Sequence, residues 1–448
     1  MTYGQLDVQA RTIAAYLQAT GMTGERALLV YQPGLDYLAA FMGCLYAGAI
    51  AVPTYPPALN RPDLRFETIL NDAQPKAILT HSDTLTKLEK RANKLSTFTD
   101  IHSVASDTLD GHLADMWQNP SLGTDDLAFL QYTSGSTSLP KGVMVSHGNL
   151  ISQATISAVR YEDTEKSQGV VWLPPYHDMG LIGGILQPLY DNYPVVLMPP
   201  AAFLQKPIRW LRAITKYKGT TSVGPNFAYD LCVDRTTPEQ RANLDLSSWT
   251  LAFNGAEPIS METLTRFTET FAPYGFQKRS FYPCYGLAEA TLMVSGDSRN
   301  AQPTFVELEV SALEQSKLKD GSPTDAASQE IVSCGPVVDN HQLHIVNPDT
   351  SRICEPNQIG EIWIAGPNIA LGYWNKPQET KESFQATLAD GDGTHFLRTG
   401  DLGFVKDRNL FVTGRLKDLI IIRGRNHYPQ DIEQVAEQCH PAISPMSC

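Results

Sequence analysis

Apolar positions in the first third of the chain alternate between helical spacing and short continuous runs. Residues 6–17 show helical spacing, and the run Ala27–Tyr31 that follows is bounded by turn residues, as in a buried strand. A second helical pattern, Leu35–Ala47, ends at Gly48 and is followed by the apolar run Ala49–Thr54. This alternation predicts a mostly parallel sheet with helices packed on its faces.

The pattern changes in the second half of the chain. A further block of helix and strand patterns covers Asn149–Ser295, and the polar stretch Val306–Glu330 then predicts a surface insertion between packed elements. Short strand-like runs separated by turn residues follow it, at Gln342–Val346, Glu361–Ala365 and Leu410–Thr413. These runs indicate a smaller, antiparallel, barrel-like unit.

Composition narrows the class of protein. A chain of 448 residues with 42% hydrophobic residues is long enough for roughly three folding units with large cores. Its formal charge of −13 opposes binding to nucleic acid or anionic lipid. The longest apolar stretch, Tyr37–Val52, contains two glycines and is too short to predict stable membrane insertion. With no signal-peptide pattern and seven scattered cysteines lacking a C-x-x-C pair, we expect a cytoplasmic protein with reduced thiols.

The strongest chemical signal is a loop rich in hydroxyls and glycine, Tyr132–Gly142, that lies between two predicted strands. Its candidate phosphate-binding residues are Thr133, Ser134, Gly135, Ser136, Thr137 and Lys141. Hydroxyl and backbone N–H groups can approach phosphate oxygens there, and the lysine offsets their charge. The order of residues differs from the Walker motif, and an ordinary polar surface loop is the alternative.

This loop resembles the phosphate loop of the adenylate-forming acyl ligases, and four later segments resemble motifs of the same superfamily in the same order. They are Asn254–Pro258 (the adenine-facing turn), Tyr285–Thr291 (the tyrosine-glycine and metal-glutamate motif), Arg398–Asp401 (the ribose aspartate) and Gly414–Asp418 (the hinge). The resemblance therefore extends over almost the whole chain.

Three features are similar to one subgroup, the fatty acyl-AMP ligases. They are Leu173–Leu181, Ile420–Glu433 and the polar insertion that precedes Val332. Ordinary acyl-CoA ligases usually have a small, glycine-rich stretch in place of Arg423–His427 and a shorter connection in place of the insertion.

The resemblance implies an α/β fold in which a large N-terminal domain, residues 1–414, has two helix-flanked parallel-type sheets and a small distorted antiparallel β-barrel. Residues 306–330 are its insertion. Residues 415–448 are then the hinge, at Lys417, and only the start of a small α+β C-terminal domain. Relatives supply a catalytic lysine from the distal part of that domain, and no lysine follows Lys417 here. We therefore expect this chain alone to form acyl-adenylate slowly.

The resemblance also assigns nucleotide-binding roles to Gly255, Ala256, Glu257, Tyr285, Gly286, Asp401 and Arg415. A carboxylate such as Asp401 can accept hydrogen bonds from two ribose hydroxyls, and an Asx-turn is its structural alternative. Arg415 has two readings, a contact with ribose or phosphate oxygens and an ion pair with a neighbouring acid. Tyr285 either contacts adenine or belongs to the core.

The implied catalytic residues are Lys141, His177 and Glu289. Glu289 is the expected Mg²⁺ ligand, with a salt-bridged glutamate at a helix start as the alternative. His177 is expected beside the acyl carboxylate, although a hydrogen-bonded structural histidine is also open. Gly183 and Gly184 either leave room for an alkyl tunnel or allow close helix packing.

The implied function is ATP-dependent activation of a fatty acid to fatty acyl-AMP, with Mg²⁺ as cofactor and pyrophosphate as product. The acyl group would pass to an acyl carrier protein or a polyketide synthase carrier domain. Three alternatives stay open: an acyl-CoA synthetase, an amino-acid-activating domain in which Asp178 holds an ammonium group, and a non-catalytic nucleotide- or acyl-adenylate-binding fragment.

Overall fold

The computed structural model describes residues 1–57, 63–92, 101–133, 139–322, 328–422 and 425–427, with residues 429, 432, 433 and 436 beyond them. Its helices are α1 (Tyr3–Ala19), α2 (Leu35–Ala47), α3 (Leu64–Ala73), α4 (Ser82–Ala92), α5 (His147–Tyr161), α6 (Gln187–Tyr190), α7 (Pro200–Gln205), α8 (Ile208–Tyr217), α9 (Asn226–Asp234), α10 (Pro238–Arg241), α11 (Met261–Phe271), α12 (Val310–Leu313) and α13 (Pro377–Phe384). None of these described helices combines the length and apolarity that a membrane span requires.

The strands are β1 (Arg26–Val30), β2 (Ile50–Thr54), β3 (Ala77–Thr80), β4 (His102–Ala105), β5 (Leu127–Tyr132), β6 (Gly142–Ser146), β7 (Gly169–Val171), β8 (Val195–Leu197), β9 (Thr221–Val223), β10 (Leu251–Asn254), β11 (Phe281–Gly286), β12 (Met293–Gly296), β13 (Phe305–Glu309), β14 (Ser328–Pro336), β15 (Gln342–Asn347), β16 (Arg352–Ile353), β17 (Gly360–Ala365), β18 (Leu397–Lys406), β19 (Asn409–Arg415), β20 (Ile420–Ile422) and β21 (Arg425–His427). They form three large sheets and one hairpin, β20–β21.

The first sheet has the order β4-β3-β1-β2-β5-β6 and is parallel except for β6. Helix α2 has the bounds that the apolar pattern predicts, because Gly48 takes the left-handed conformation that ends a helix (φ 69°). Helices α1 and α2 pack closely, since a Cβ on Gly43 would lie 2.7 Å from Ile13. The helix-flanked parallel sheet predicted for the first third is thus confirmed.

The second sheet, β12-β11-β10-β9-β7-β8, is parallel except for β12. Its core is rich in aromatic residues: Trp210 contacts Trp249 and Tyr229, with ring centres 5.1 and 5.5 Å apart. The Trp210 indole N–H donates to Ser222 Oγ at 2.7 Å, which satisfies its buried polar atom. This packing fixes the strands whose carboxyl ends carry the site described below.

The third sheet is antiparallel and seven-stranded, in the order β13-β14-β19-β18-β17-β15-β16. Register shifts interrupt its ladders, for example at Leu402/Gly403 between β18 and β19, and such irregularities bend a sheet strongly. This curved unit is the predicted antiparallel part, so the α/β class with two parallel-type sheets and an antiparallel unit is confirmed.

The segment predicted as a polar surface insertion is more deeply built into the fold than its composition indicates. Strand β13 pairs with β14, and Leu308 and Leu313 are fully or almost fully buried, at 0% and 2% exposure, in a cluster that includes Phe404. The apolar signal is weak in the sequence because Glu307 and Glu309 flank Leu308 on the other face of the strand. The insertion therefore anchors itself to the antiparallel sheet.

This anchoring predicts that Leu308→Ala lowers the free energy of unfolding by about 2–5 kcal/mol, the usual effect of removing a buried leucine. Phe305→Ala on the same strand is the matched control: Phe305 is 44% exposed, and its loss should change the free energy by no more than about 0.5 kcal/mol. Chemical denaturation followed by circular dichroism measures both. Equal effects of the two substitutions would contradict the packed position of β13.

Candidate active site

The hydroxyl-rich loop begins at the carboxyl end of β5, at the edge of the first sheet. Its base is closed by a hydrogen bond from the Thr133 amide to the Lys141 carbonyl, at 3.1 Å. Ser134, Gly135, Ser136 and Thr137 lie outside the described residues, so their phosphate-binding roles stay predictions. The described ends of the loop place Lys141 directly before β6.

The Lys141 ammonium has two partners, both from the segment after β17. It forms an ion pair with Glu379, and its Nζ lies 4.8 Å from the centre of the Tyr373 ring. The cation lowers the pKa of the Glu379 carboxyl, chiefly through a hydrogen bond between the two side chains. Lys141 is therefore held at a defined place by a carboxylate that an incoming anion can replace.

Glu289 lies in the turn that follows β11. One carboxylate oxygen, Oε1, accepts a hydrogen bond from the Tyr373 hydroxyl at 2.8 Å, and the Glu289 carbonyl accepts one from the Ala370 amide at 2.9 Å. Removal from water raises the pKa of Glu289. Among the described residues no basic side chain pairs with it, so the salt-bridged alternative is not what the structure shows.

Tyr285 and Asp401 form a second polar unit beside Glu289. The Tyr285 hydroxyl donates to Asp401 Oδ2 at 2.6 Å, and Arg415 Nε lies 3.3 Å from Asp401 Oδ1. Burial raises the pKa of Asp401, while the Tyr285 hydrogen bond and the Arg415 charge act in the opposite direction. The Asp401 carboxylate is thus engaged with side chains and not in an Asx-turn. The contact of Arg415 with Asp401 corresponds to the second alternative given for this arginine, an ion pair with a neighbouring acid.

The turn after β10 carries the three residues expected at adenine. A Cβ on Gly255 would lie 2.9 Å from the Cys284 carbonyl, and Ala256 has a left-handed backbone (φ 72°). The Glu257 carboxylate accepts a hydrogen bond from the Phe227 amide at the start of α9, at 3.2 Å, and burial raises its pKa. The side chain of Glu257 therefore anchors the turn to a helix. On the neighbouring strand, a Cβ on Gly286 would collide with the Leu292 carbonyl.

His177 precedes a π-helical segment, Met179–Leu186. Its Nδ1 lies 2.6 Å from Asp178 Oδ1, and that carboxylate raises the pKa of the imidazole. A Cβ on Gly184 would lie 2.7 Å from Val171, so this glycine allows the close packing that was its alternative, and its place in an alkyl tunnel stays a prediction. A Cβ on Gly183 would lie 3.3 Å from Leu292, and its place in a tunnel stays a prediction.

These elements bring three carboxylates together. Asp401 and Asp178 are close enough to Glu289 for their charges to raise its pKa further. In the described part of the chain no group of three or more His, Cys, Asp or Glu side chains is arranged to hold a metal. A divalent cation would fit at Glu289 only with further oxygens from a bound molecule, which is how Mg²⁺ binds with nucleotide phosphates.

Tyr373 and Glu379 are the site residues that motif reasoning misses. Tyr373 contacts Glu289 from 84 positions away in the sequence, and no local pattern connects the two. In the sequence, only Gly372, directly before Tyr373, indicates a turn or a close approach of two backbone segments at this point. The predicted hinge residue Lys417 lies in the short 3₁₀ turn Leu416–Asp418, and its charge lowers the pKa of Asp401.

Comparisons with known proteins show the family to which this chain belongs. The sequence model of the AMP-binding enzyme family matches residues 1–374. A medium-chain fatty acid–acyl-carrier-protein ligase, JamA of Moorena producens, is 49% identical over 99% of this chain and 76% of its own length. A long-chain fatty acid–AMP ligase, FadD32 of Mycolicibacterium smegmatis, is 38% identical over 99% of this chain and 73% of its own length.

A solved structure gives the same result for the fold. The fatty acyl-adenylate ligase from L. pneumophila, in complex with acyl adenylate and pyrophosphate, superposes with a TM-score of 0.89 and 44% identity, covering 98% of this chain and 76% of that one. The motifs, the three-sheet architecture and these relatives agree, and the chain belongs to the AMP-binding enzyme family, in its fatty acyl-AMP ligase group.

Proposed function

We propose that this chain joins a fatty acid to the AMP part of ATP and prepares the acyl group for an acyl carrier protein. A carboxylate oxygen of the fatty acid attacks the α-phosphorus, the bond from that phosphorus to the β-phosphate oxygen breaks, and pyrophosphate leaves. The observation that carries the proposal is the Glu289 carboxylate, which is removed from water, accepts a hydrogen bond from Tyr373 and has no basic partner among the described residues. Such a site is completed by a metal-bound nucleotide.

The reaction requires two anions to meet, so the residues act mainly by alignment and charge neutralisation. Glu289 would hold Mg²⁺, which when bound offsets the charge of the triphosphate. Lys141 would exchange Glu379 for phosphate oxygens, together with the loop residues that begin at Thr133. The Asp401 carboxylate, which the Tyr285 hydroxyl orients, would accept hydrogen bonds from the ribose hydroxyls. The His177 imidazole, whose pKa is raised by Asp178, would orient the fatty acid carboxylate.

The proposal of a carrier protein as acceptor rests on the insertion. Its residues contact the β20–β21 hairpin: the Asn426 amide donates to the Glu314 carbonyl at 2.9 Å, and Asn426 Nδ2 donates to Ser316 Oγ at 2.9 Å. The hairpin follows Lys417, where we propose the hinge between residues 1–414 and the small domain. Contacts across the hinge bias the small domain toward one orientation. Free coenzyme A would then react poorly, and a carrier-bound thiol is the proposed acceptor.

We also propose a cytoplasmic location for this reaction. The described cysteines Cys44, Cys232, Cys284, Cys334 and Cys354 are free thiols, and burial raises the pKa of each of them. Buried, unpaired cysteines are typical of proteins kept in a reducing compartment.

Glu289→Gln should lower the rate of ATP–pyrophosphate exchange by about 30- to 1,000-fold, equivalent to about 2–4 kcal/mol of transition-state stabilisation. Glutamine keeps the hydrogen bond from Tyr373 but loses the charge that holds the cation. Binding of the fatty acid, measured by calorimetry, should change less than twofold. Glu262→Gln, at an exposed position on α11, is the control. Unchanged exchange in Glu289→Gln would contradict the assignment.

The same substitution should stabilise the chain when no ligand is bound. Because the ionised Glu289 carboxylate is partly removed from water without a cation, glutamine should raise the free energy of unfolding at neutral pH by about 0.5–1 kcal/mol. Added Mg²⁺ and ATP should raise the melting temperature of the parent but not of the variant. Thermal unfolding with and without Mg²⁺ and ATP measures both effects. A ligand-free Glu289→Gln variant that is less stable than the parent would contradict the interpretation that Glu289 is a charge without a basic partner.

Asn426→Ala should increase the formation of acyl-CoA, because it removes one hydrogen bond between the hairpin and the insertion. A loss of about 1 kcal/mol corresponds to a roughly fivefold larger share of the other orientation. Because this chain alone is expected to form acyl-adenylate slowly, acyl-CoA product is measured by chromatography from added acyl-AMP, with Asn243→Ala at an exposed position as control. Efficient formation of acyl-CoA by the parent would contradict the proposed carrier-bound acceptor. If the parent forms little acyl-CoA and Asn426→Ala forms no more, the contact between the hairpin and the insertion has no role in the choice of acceptor.

A further inference from the structure

One segment after β17 contacts both of the charged residues, Lys141 and Glu289, that the proposed reaction needs at the phosphates. This segment, residues 366–379, runs from the end of β17 into the first turn of α13 and is called the strap below. On one side the strap forms three backbone hydrogen bonds with the region of β6: the Met144 amide donates to Gly372, the Leu371 amide to Met144, and the Trp374 amide to Gly142, at 2.8–2.9 Å. These bonds fix the strap to the strand that begins directly after Lys141.

On its other side the strap is fixed to the turn of Glu289. The Ala370 amide donates to the Glu289 carbonyl at 2.9 Å, and the Thr291 hydroxyl donates to the Asn368 carbonyl at 2.6 Å. Thr291 has a positive φ of 61°, which a β-branched residue adopts only where its surroundings hold it. The strap therefore sets the distance between β6 and the Glu289 turn.

Tyr373 is the one strap side chain that contacts both charged residues. Its hydroxyl donates to Glu289 Oε1 at 2.8 Å, while its ring lies 4.8 Å from Lys141 Nζ. We propose that Tyr373 is a positioning residue: it occupies one oxygen of Glu289, so that the other oxygen faces the metal of a bound metal–nucleotide complex, and it keeps Lys141 beside the same phosphates. The inference rests on the proposed function of this site.

The position of Tyr373 is more constrained than packing requires. Its amide donates to Thr380 Oγ1 at 2.9 Å, and a Cβ on the preceding Gly372 (φ 135°) would collide with the same threonine. The ring packs edge-on against Phe384, with ring centres 5.1 Å apart, a contact that phenylalanine would make equally well. Packing thus explains the ring, while the hydroxyl contacts the Glu289 carboxylate and also the side chain of Ser383.

Tyr373→Phe tests the proposal, because it removes the hydroxyl and keeps the ring under Lys141. Mn²⁺ is the probe, titrated by electron paramagnetic resonance into enzyme with α,β-methylene-ATP. We expect about tenfold weaker Mn²⁺ binding in the variant, while affinity for a non-hydrolysable acyl-AMP analogue, which needs no metal, stays within twofold. Tyr217→Phe, another tyrosine beside a lysine ammonium, is the control and should match the parent. Mn²⁺ affinity within twofold of the parent in Tyr373→Phe would overturn the proposal.

A double substitution separates action through Glu289 from a general structural effect. Adding Tyr373→Phe to Glu289→Gln should cause no further loss of Mn²⁺ affinity, since the proposed effect of the hydroxyl on the metal passes through the Glu289 carboxylate. A further tenfold loss would overturn the proposal. A parent that fails to bind Mn²⁺ with the nucleotide would refute the proposed function and this inference with it.

A second variant leaves the site itself unchanged. Thr380→Val keeps the size of the side chain but removes the hydroxyl that accepts the hydrogen bond from the Tyr373 amide, and we expect about threefold weaker Mn²⁺ binding. Thr380→Ser keeps the hydroxyl, and we expect the affinity of the parent. Equal affinities in the two Thr380 variants would contradict the role of the strap, even if Tyr373→Phe proves too unstable to purify.

Discussion

The burial of the Glu289 carboxylate without a basic partner among the described residues is the constraint on which this structure depends. Asp178, Glu289 and Asp401 come from three separate elements, and the charges of the other two raise the pKa of Glu289. Asp401 has Arg415 as a partner and Asp178 has His177, while no base pairs with Glu289 among the described residues. An arrangement of this kind is stable only if the surrounding fold holds it, and it becomes favourable when a cation binds.

The fold meets this requirement by building the cleft from strand ends and connecting them with backbone hydrogen bonds. The hydroxyl-rich loop follows β5, the turn of Gly255–Glu257 follows β10, and the Glu289 turn follows β11, so all three lie at carboxyl ends of parallel strands. The antiparallel sheet contributes Asp401 and, through the strap, Tyr373. Two parallel sheets supply rigid supports, and the third unit supplies the side chains that orient the carboxylates.

Local features were predictable from the sequence, and contacts between distant segments were not. Helix α2 has the predicted bounds, because periodicity and a left-handed glycine act over a few residues. The positions of the motif residues followed from family resemblance. Neither source could show that Tyr373 donates to Glu289 or that Val171 fills the space beside Gly184, since both facts depend on how separate elements pack. Leu308 was missed because one buried leucine between two glutamates gives a weak pattern.

The ion pair between Lys141 and Glu379 has a consequence for competition among anions. A lysine that already has a carboxylate partner offers little net charge to its surroundings, so an anion binds there only if it gains more than the pair loses. Inorganic phosphate carries too few charges and contacts to do this well, whereas a nucleotide triphosphate gains further contacts from its sugar and base. In the proposed function, the Glu379 carboxylate would therefore favour a nucleotide triphosphate over small anions at Lys141.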